Sequence, residues 1–369
     1  MTGRTAVNIK YFVPGPTELC ERVLKATSTQ VISHRSSKFR EIFNEVRDLL
    51  AGVYATDSGN IAILTGSGTL AVNSMIYGIM KPGERALVIS HGEFGERIVR
   101  ALQARGCLVD VLRSKEGDVV DLNEVREALG KTSYRAIFTT HTETSTGVTT
   151  RYLPEIAEEA KANGALICVD AVSSLAGEPL KMDDWGLDAV SSCSQKCIGA
   201  PPGLSFVALS DEALKSLRSD GVPPYLDLQK YFEYSKDGET PFTPAVNIIY
   251  GLLEALRILV LEEGVEGRIS RLGEVSEKLY SGAESLGLTP LARRDVRSRT
   301  VVALKLPENI QASRVIKEMR EECGIVIARG MGNLREKIVR VGVMGYITSK
   351  DADAILEGLE IALRRVGGA

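Results

Sequence analysis

The chain has 369 residues, 44% hydrophobic and 25% charged, enough to bury a sizeable core and to fill two domains rather than one. Its net charge of −3 and the scatter of its 45 Lys and Arg leave no basic stripe, so nucleic acid is not an expected partner. No uncharged apolar run reaches bilayer length and MTGRTAVNIKYFVPGPT has no apolar h-region, so no membrane contact and a cytoplasmic location are expected.

From Ile61 to Ser210, β-rich runs alternate with amphipathic stretches: NIAILTG, RALVISHG, LVDVLRS, AIFTTH, ALICVDAV, DAVSSCSQK and LSFVALS. This rhythm predicts an α/β fold with a mostly parallel sheet flanked by helices over Thr69–Met80, Glu93–Arg105, Leu122–Leu129 and Pro154–Asn163. After Ser210 the pattern turns helical in AVNIIYGLLEALRILVLEEG and again from Arg268 to Leu286. The remainder reads as strand (TVVALKLP), helix (SRVIKEMREEC), strands (IVIARG, KIVRVGVMG) and helix (DADAILEGLEIALRRV). A large α/β domain with its N-terminal segment over 1–263 and a smaller α+β domain over 264–369 are therefore expected.

Ligands of open α/β sheets gather at the carboxyl ends of the parallel strands, so the residues just past each strand are the informative ones. Ser67, Gly68 and Thr69 open a helix after the first strand, with free N–H groups and hydroxyls suited to a phosphate dianion. The same GSGTLA matches a dinucleotide fingerprint, and a plain tight turn would also explain it. Asp170 ends the apolar strand ALICVD, where a buried carboxylate needs a cation or a structural hydrogen bond. A protonated pyridine nitrogen would serve. Lys196, after the next strand in SQKCIGAPPG, sits among small residues rather than on a solvated face. Burial beside a cationic cofactor would lower its pKa and free its amine as a nucleophile. These three features fall on one edge of one predicted sheet.

Six cysteines, Cys20, Cys107, Cys168, Cys193, Cys197 and Cys323, are spread along the chain, and none forms a zinc pattern. They read as reduced packing residues, and no metal is expected.

At this point the sequence resembles the class V aminotransferases of fold type I, most closely the alanine–glyoxylate and serine–glyoxylate or serine–pyruvate group. VPGPT, SHRSSKF, GSGTLAVNS, GEFGER, THTETSTG, VDAVSSLAGEPL, SQKCIGAPPG, TPAVNIIYGLLEAL and REKIVRVGVMG carry the resemblance along nearly the whole chain. It implies pyridoxal 5′-phosphate held as a Schiff base on Lys196, which also moves the substrate proton, with Asp170 on the ring nitrogen. It further implies Phe94 and Val172 on the two ring faces and Thr144 near the ring oxygen. Ser67, Gly68, Thr69 and Gln195 would hold the phosphate, helped by Thr243 from a neighbouring subunit, so that a homodimer shares its active sites. Arg340 would take the substrate carboxylate, and Gly15 in the VPGPT loop would restrict side-chain size. Phe94 replaces the more usual tryptophan, Thr69 stands where several relatives have histidine, and Thr240 aligns weakly with a tyrosine.

The implied reaction is transamination between a small amino acid, alanine or serine, and glyoxylate or pyruvate, with ping-pong kinetics. Aspartate is the nearest alternative donor. Cys323 lacks the mobile Ser/Gly-rich loop that a desulfurase needs. A nicotinamide enzyme should end its second strand in an acidic residue, whereas here it ends in Ser90 and His91. A silent binding protein would have no use for the Lys196 and Asp170 pair.

Overall fold

A computed structural model describes residues 9–56 and 60–367 of the chain. Residues 1–8 and 368–369, the outer ends of the two expected domains, lie outside the described residues. Strand β1 (Lys10–Tyr11) and helices α1 (Glu21–Thr27) and α2 (Ser37–Tyr54) come first. The main sheet is built from β2 (Ile61–Thr65), β3 (Arg85–Ser90), β4 (Leu108–Arg113), β5 (Ala136–Thr140), β8 (Leu166–Asp170), β9 (Ala189–Cys193) and β10 (Leu204–Leu209). Between β5 and β8 lies a small hairpin of β6 (Thr142–Glu143) and β7 (Val148–Thr149).

The spatial order is β2-β10-β9-β8-β5-β3-β4, and every pair is parallel except the two made by β10. Because β10 is antiparallel to both β2 and β9, these two run in the same sense. The carboxyl ends of all six other strands therefore share one edge. Helices α3 (Gly68–Ile79), α4 (Glu93–Ala104), α5 (Leu122–Lys131) and α6 (Leu153–Ala162) fall within two residues of the ranges expected from periodicity.

Side chains alternate across the sheet with the period of two that a pleated strand imposes. Ile61, Ile63, Leu87, Ile89, Ile167 and Val169 face a core closed by α2, α5, α6 and, farther along the chain, α9 (Val246–Leu256). Ala62, Leu64, Ala86, Val88, Leu166 and Cys168 face the opposite core under α3, α4 and the later α8 (Leu228–Ser235). With both faces covered, the strands read as unbroken apolar runs rather than alternating ones. The helix expected across 245–264 divides at Arg257: α9 widens into a π-helical stretch, Arg257–Glu263, before Gly264 and α10 (Val265–Ser285). The short α7 (Asp211–Lys215) follows β10.

A smaller antiparallel sheet closes the chain, in the order β11 (Thr289–Pro290), β12 (Val301–Lys305), β15 (Ile338–Gly342), β14 (Ala328–Arg329), with α11 (Ala312–Cys323) and α12 (Ser349–Gly367) packed together beside it. The single strand expected over IVIARG is two. β13 (Ile325–Val326) pairs in parallel with β1, whereas β14 pairs with β15. Two different partners break one apolar run at Ile327. Among the described residues no helix is long and apolar enough to cross a membrane.

Candidate active site

Some helix starts are capped by nearby side chains. Ser36 caps α2 by accepting from Phe39 N–H at 3.2 Å, and Asp121 and Glu124 form a reciprocal capping box on α5. At the carboxyl edge of the sheet, by contrast, Ser67 precedes α3 without any side-chain capping bond, and both Ser67 and Thr69 are exposed. The N–H groups of that first turn and the positive end of its dipole are thus left for an anion. Gly68 is the point of closest approach: a Cβ there would lie 2.7 Å from Val172 Cγ2 and 3.4 Å from Cys193 Sγ.

Asp170 ends β8 at 7% exposure and accepts Val172 N–H at 2.9 Å. No cation lies within ion-pair distance of it among the described residues. Burial, with Glu143 adding to it, pushes its carboxyl up to about 6. A cation placed against it would reverse that shift.

Lys196 follows β9 in a turn, and its Nζ donates to the Pro14 carbonyl. Burial holds its ammonium below the usual lysine range. Gly15, at φ +84°, lies directly on this side chain: a Cβ there would come within 2.6 Å of Lys196 Cδ and 2.7 Å of Nζ. The same segment is tied to the site by Thr17 N–H to the Gln195 carbonyl (3.2 Å) and Gly342 N–H to the Phe12 carbonyl (2.8 Å). The second of these joins it to β15, the strand that carries Arg340.

Arg340 is 8% exposed and has no carboxylate within ion-pair distance among the described residues. Its Nε and Nη2 donate to the Arg329 carbonyl at 2.9 and 2.8 Å, and Nη1 donates to the Thr144 carbonyl at 2.9 Å. Of the five N–H groups of a guanidinium these bonds take three, which leaves one on each terminal nitrogen. That remaining pair is the fork that a carboxylate accepts in bidentate fashion. Burial lowers the pKa of this unpaired guanidinium to about 10.

Thr144 Oγ1 shares a 2.6 Å hydrogen bond with Ser173 Oγ. Phe94 is half-buried in the first turn of α4, and the Arg97 guanidinium lies 4.5 Å from its ring centroid. The structure therefore gathers Gly15, Gly68, Asp170, Val172, Gln195 and Lys196 around one turn, with Thr144 and Arg340 bonded to each other beside them. Thr243 is exposed and its side chain makes no hydrogen bond among the described residues. Its segment is pinned to the end of β2 by Ala245 N–H to Thr65 Oγ1 at 3.1 Å. All six cysteines are unpaired, and burial raises the thiols of Cys193 and Cys197 to about 12, which keeps them neutral.

Sequence reasoning missed two groups, the Pro14 carbonyl and Glu143. Glu143 is fully buried and accepts N–H bonds from Phe94, Gly95 and Ser145. An acidic residue in the polar run just past an apolar strand was the available signal.

An uncapped helix start for a phosphate, a buried carboxylate lacking a cation and a largely buried amine whose pKa burial lowers fit the phosphate, ring nitrogen and aldehyde of pyridoxal phosphate. Fold and site thus define an enzyme of the pyridoxal-phosphate transferase class. The class V aminotransferase family matches residues 10–355, and the chain belongs to it. An uncharacterised aminotransferase of Methanocaldococcus jannaschii is 37% identical over 98% of this chain and 94% of its own. The structure of a subgroup IV aspartate aminotransferase from Thermus thermophilus superposes with a TM-score of 0.89 at 33% identity, covering 97% of this chain and 99% of that one. That of alanine–glyoxylate aminotransferase from Nostoc sp. gives 0.92 at 30% identity, covering 99% and 97%.

Proposed function

We propose that this class V aminotransferase moves the amino group of a small L-amino acid, alanine or serine, to glyoxylate or pyruvate. The observation that carries the reading is Gly15 pressed onto Lys196 beside an Arg340 that keeps one free carboxylate fork. Such a site can bind any α-carboxylate, and we read the close approach of the Gly15 loop to Lys196 as favouring a short substrate side chain.

Bound pyridoxal phosphate supplies a carbonyl carbon that takes up the amino group and a ring that spreads the charge left on the substrate α-carbon. The chain supplies the rest. Lys196 Nζ, whose pKa burial lowers, accepts the proton from the substrate Cα and returns it. The Asp170 carboxylate holds the proton on the ring nitrogen. Phe94 and Val172 would flank the ring and Thr144 would lie by the ring oxygen, while Arg340 would orient the substrate. Ser67, Gly68, Thr69 and Gln195 would hold the phosphate together with the partner subunit's Thr243.

A homodimer with shared sites is supported by the exposed Thr243 and by exposed Tyr225, whose ring lies 5.2 Å from that of Phe242 in the same surface. We place the division into domains at 263/264, and the end of the π-helical stretch at Gly264 supports it.

Aspartate is the second reading. The Thermus thermophilus structure is of an aspartate aminotransferase, and Arg97, over Phe94, acts on the ionisation of Asp170 and could face a distal carboxylate. Steady-state rates for alanine, serine, aspartate and phosphoserine against glyoxylate, pyruvate and oxoglutarate separate the two. Highest kcat/KM for alanine or serine with glyoxylate or pyruvate is expected. A preference for aspartate that Arg97→Ala abolishes would transfer the assignment to the second reading.

A further inference from the structure

The carboxylate of Glu143 is the one acidic side chain in this region to which no step above gives a task. It is fully buried, and burial raises its pKa, yet four donors converge on it. Phe94 N–H reaches Oε2 at 3.2 Å and Gly95 N–H reaches it at 3.1 Å, while Oε1 accepts Ser145 N–H at 3.0 Å and Ser145 Oγ–H. Ser145 Oγ in turn accepts Glu93 N–H at 3.0 Å. The first three N–H groups of α4, which its own chain leaves uncapped, are thus bonded by two neighbouring side chains of the β6–β7 hairpin. The fit is close: a Cβ on Gly92, the residue before the helix, would lie 2.4 Å from Ser145 Oγ and 2.9 Å from Glu143 Cδ.

What this clamp joins gives it a consequence. On one side stands Phe94, in the first turn of the clamped helix. On the other, the residue between Glu143 and Ser145 is Thr144, whose carbonyl accepts Arg340 Nη1–H and whose hydroxyl bonds Ser173. We propose that Glu143 is a positioning residue: its buried carboxylate locks the start of α4 to the hairpin, so that the ring-facing Phe94 and the carboxylate-binding Arg340 keep one fixed relation. The ionised form suits this task, because it is an acceptor at both oxygens and lies at the positive end of a helix dipole. A neutral amide would present its NH2 to N–H donors and lose the bonds on that side. The charge also acts on the site itself: it favours the cationic form of Arg340 and opposes ionisation of Asp170.

This inference rests on the reading of Phe94 as the residue that flanks the cofactor ring. The test is the visible circular dichroism of the holoenzyme per mole of bound cofactor, because that signal reports how asymmetrically the ring is held. Glu143→Gln should lower it by about half and weaken cofactor binding to the apoprotein on the order of tenfold. Phe94→Ala is measured in parallel. If Phe94→Ala changes the signal and Glu143→Gln leaves it at the wild-type value, the positioning role is wrong, even if the unfolding temperature drops. If Phe94→Ala itself leaves the signal unchanged, the assignment of Phe94 fails instead, and this inference with it. Should Glu143→Gln not fold, Ser145→Ala, which removes one donor to Glu143 and frees Glu93 N–H, is read by the same criterion.

Discussion

Asp170 is placed at a cost to the folded chain that the cofactor would remove. Its carboxyl is raised from 3.8 to about 6, so the folded apoprotein holds this proton more tightly than the unfolded chain does. The contribution to stability is complete below about pH 4 and is lost as the pH rises through 6, a penalty on the order of 3 kcal/mol at neutral pH. Asp170→Asn removes the buried charge and should therefore raise the melting temperature of the apoprotein at pH 7. It should also weaken the cofactor complex and flatten the gain in affinity expected of the native chain as the pH rises through about 6. A lower apoprotein melting temperature in the variant would contradict this assignment of cost. Arg340 sits in the same low-dielectric setting with two N–H groups unspent. Because an ammonium cannot reproduce the fork, Arg340→Lys should raise KM about tenfold or more for every carboxylate substrate, with a smaller change in kcat. Unchanged KM values would take Arg340 out of the substrate site.

Among elements, α3 combines two demands at one position. Its start must approach Val172 and Cys193 and also leave its N–H groups open, and only Gly68 allows the approach. Gly68→Ala should destabilise the chain by about 1–3 kcal/mol through overpacking and weaken cofactor binding at the same time. Thermal melts and cofactor titration check both, and native affinity in a folded variant would show that α3 does not hold the phosphate. Elements with strong periodicity were legible in the sequence: α3, α4, α5 and α6 stand within two residues of where the pattern put them. The strand ends were legible as well, since apolar runs stop at Asp170 and at Cys193, just before Lys196. What escaped depends on tertiary partners. The IVIARG run splits because β1 claims Ile325 and Val326 while β15 claims Ala328 and Arg329. Glu143 was unreadable as a clamp because its donors Phe94 and Gly95 lie nearly fifty residues earlier, and no local pattern announces the pairing.

At the scale of the whole molecule, a sheet buried on both faces fixes six strand ends along one edge, and the N-terminal segment and β15 close over that edge from the other side. Gly342 N–H bonded to the Phe12 carbonyl, and Pro14 receiving the Lys196 amine, tie the first residues described, the central turn and the last strand into one site. This arrangement brings together an amine whose pKa burial lowers, a carboxylate in need of a cation and an unpaired guanidinium. The measurement that bears most directly on it is borohydride reduction of the purified protein followed by peptide mapping. A yellow protein that loses its colour and carries the reduced pyridoxyl group on Lys196 is the expected result. A colourless protein, or a label on another lysine with Lys196 unmodified, would contradict the assignment of Lys196 and with it the mechanism proposed for this chain.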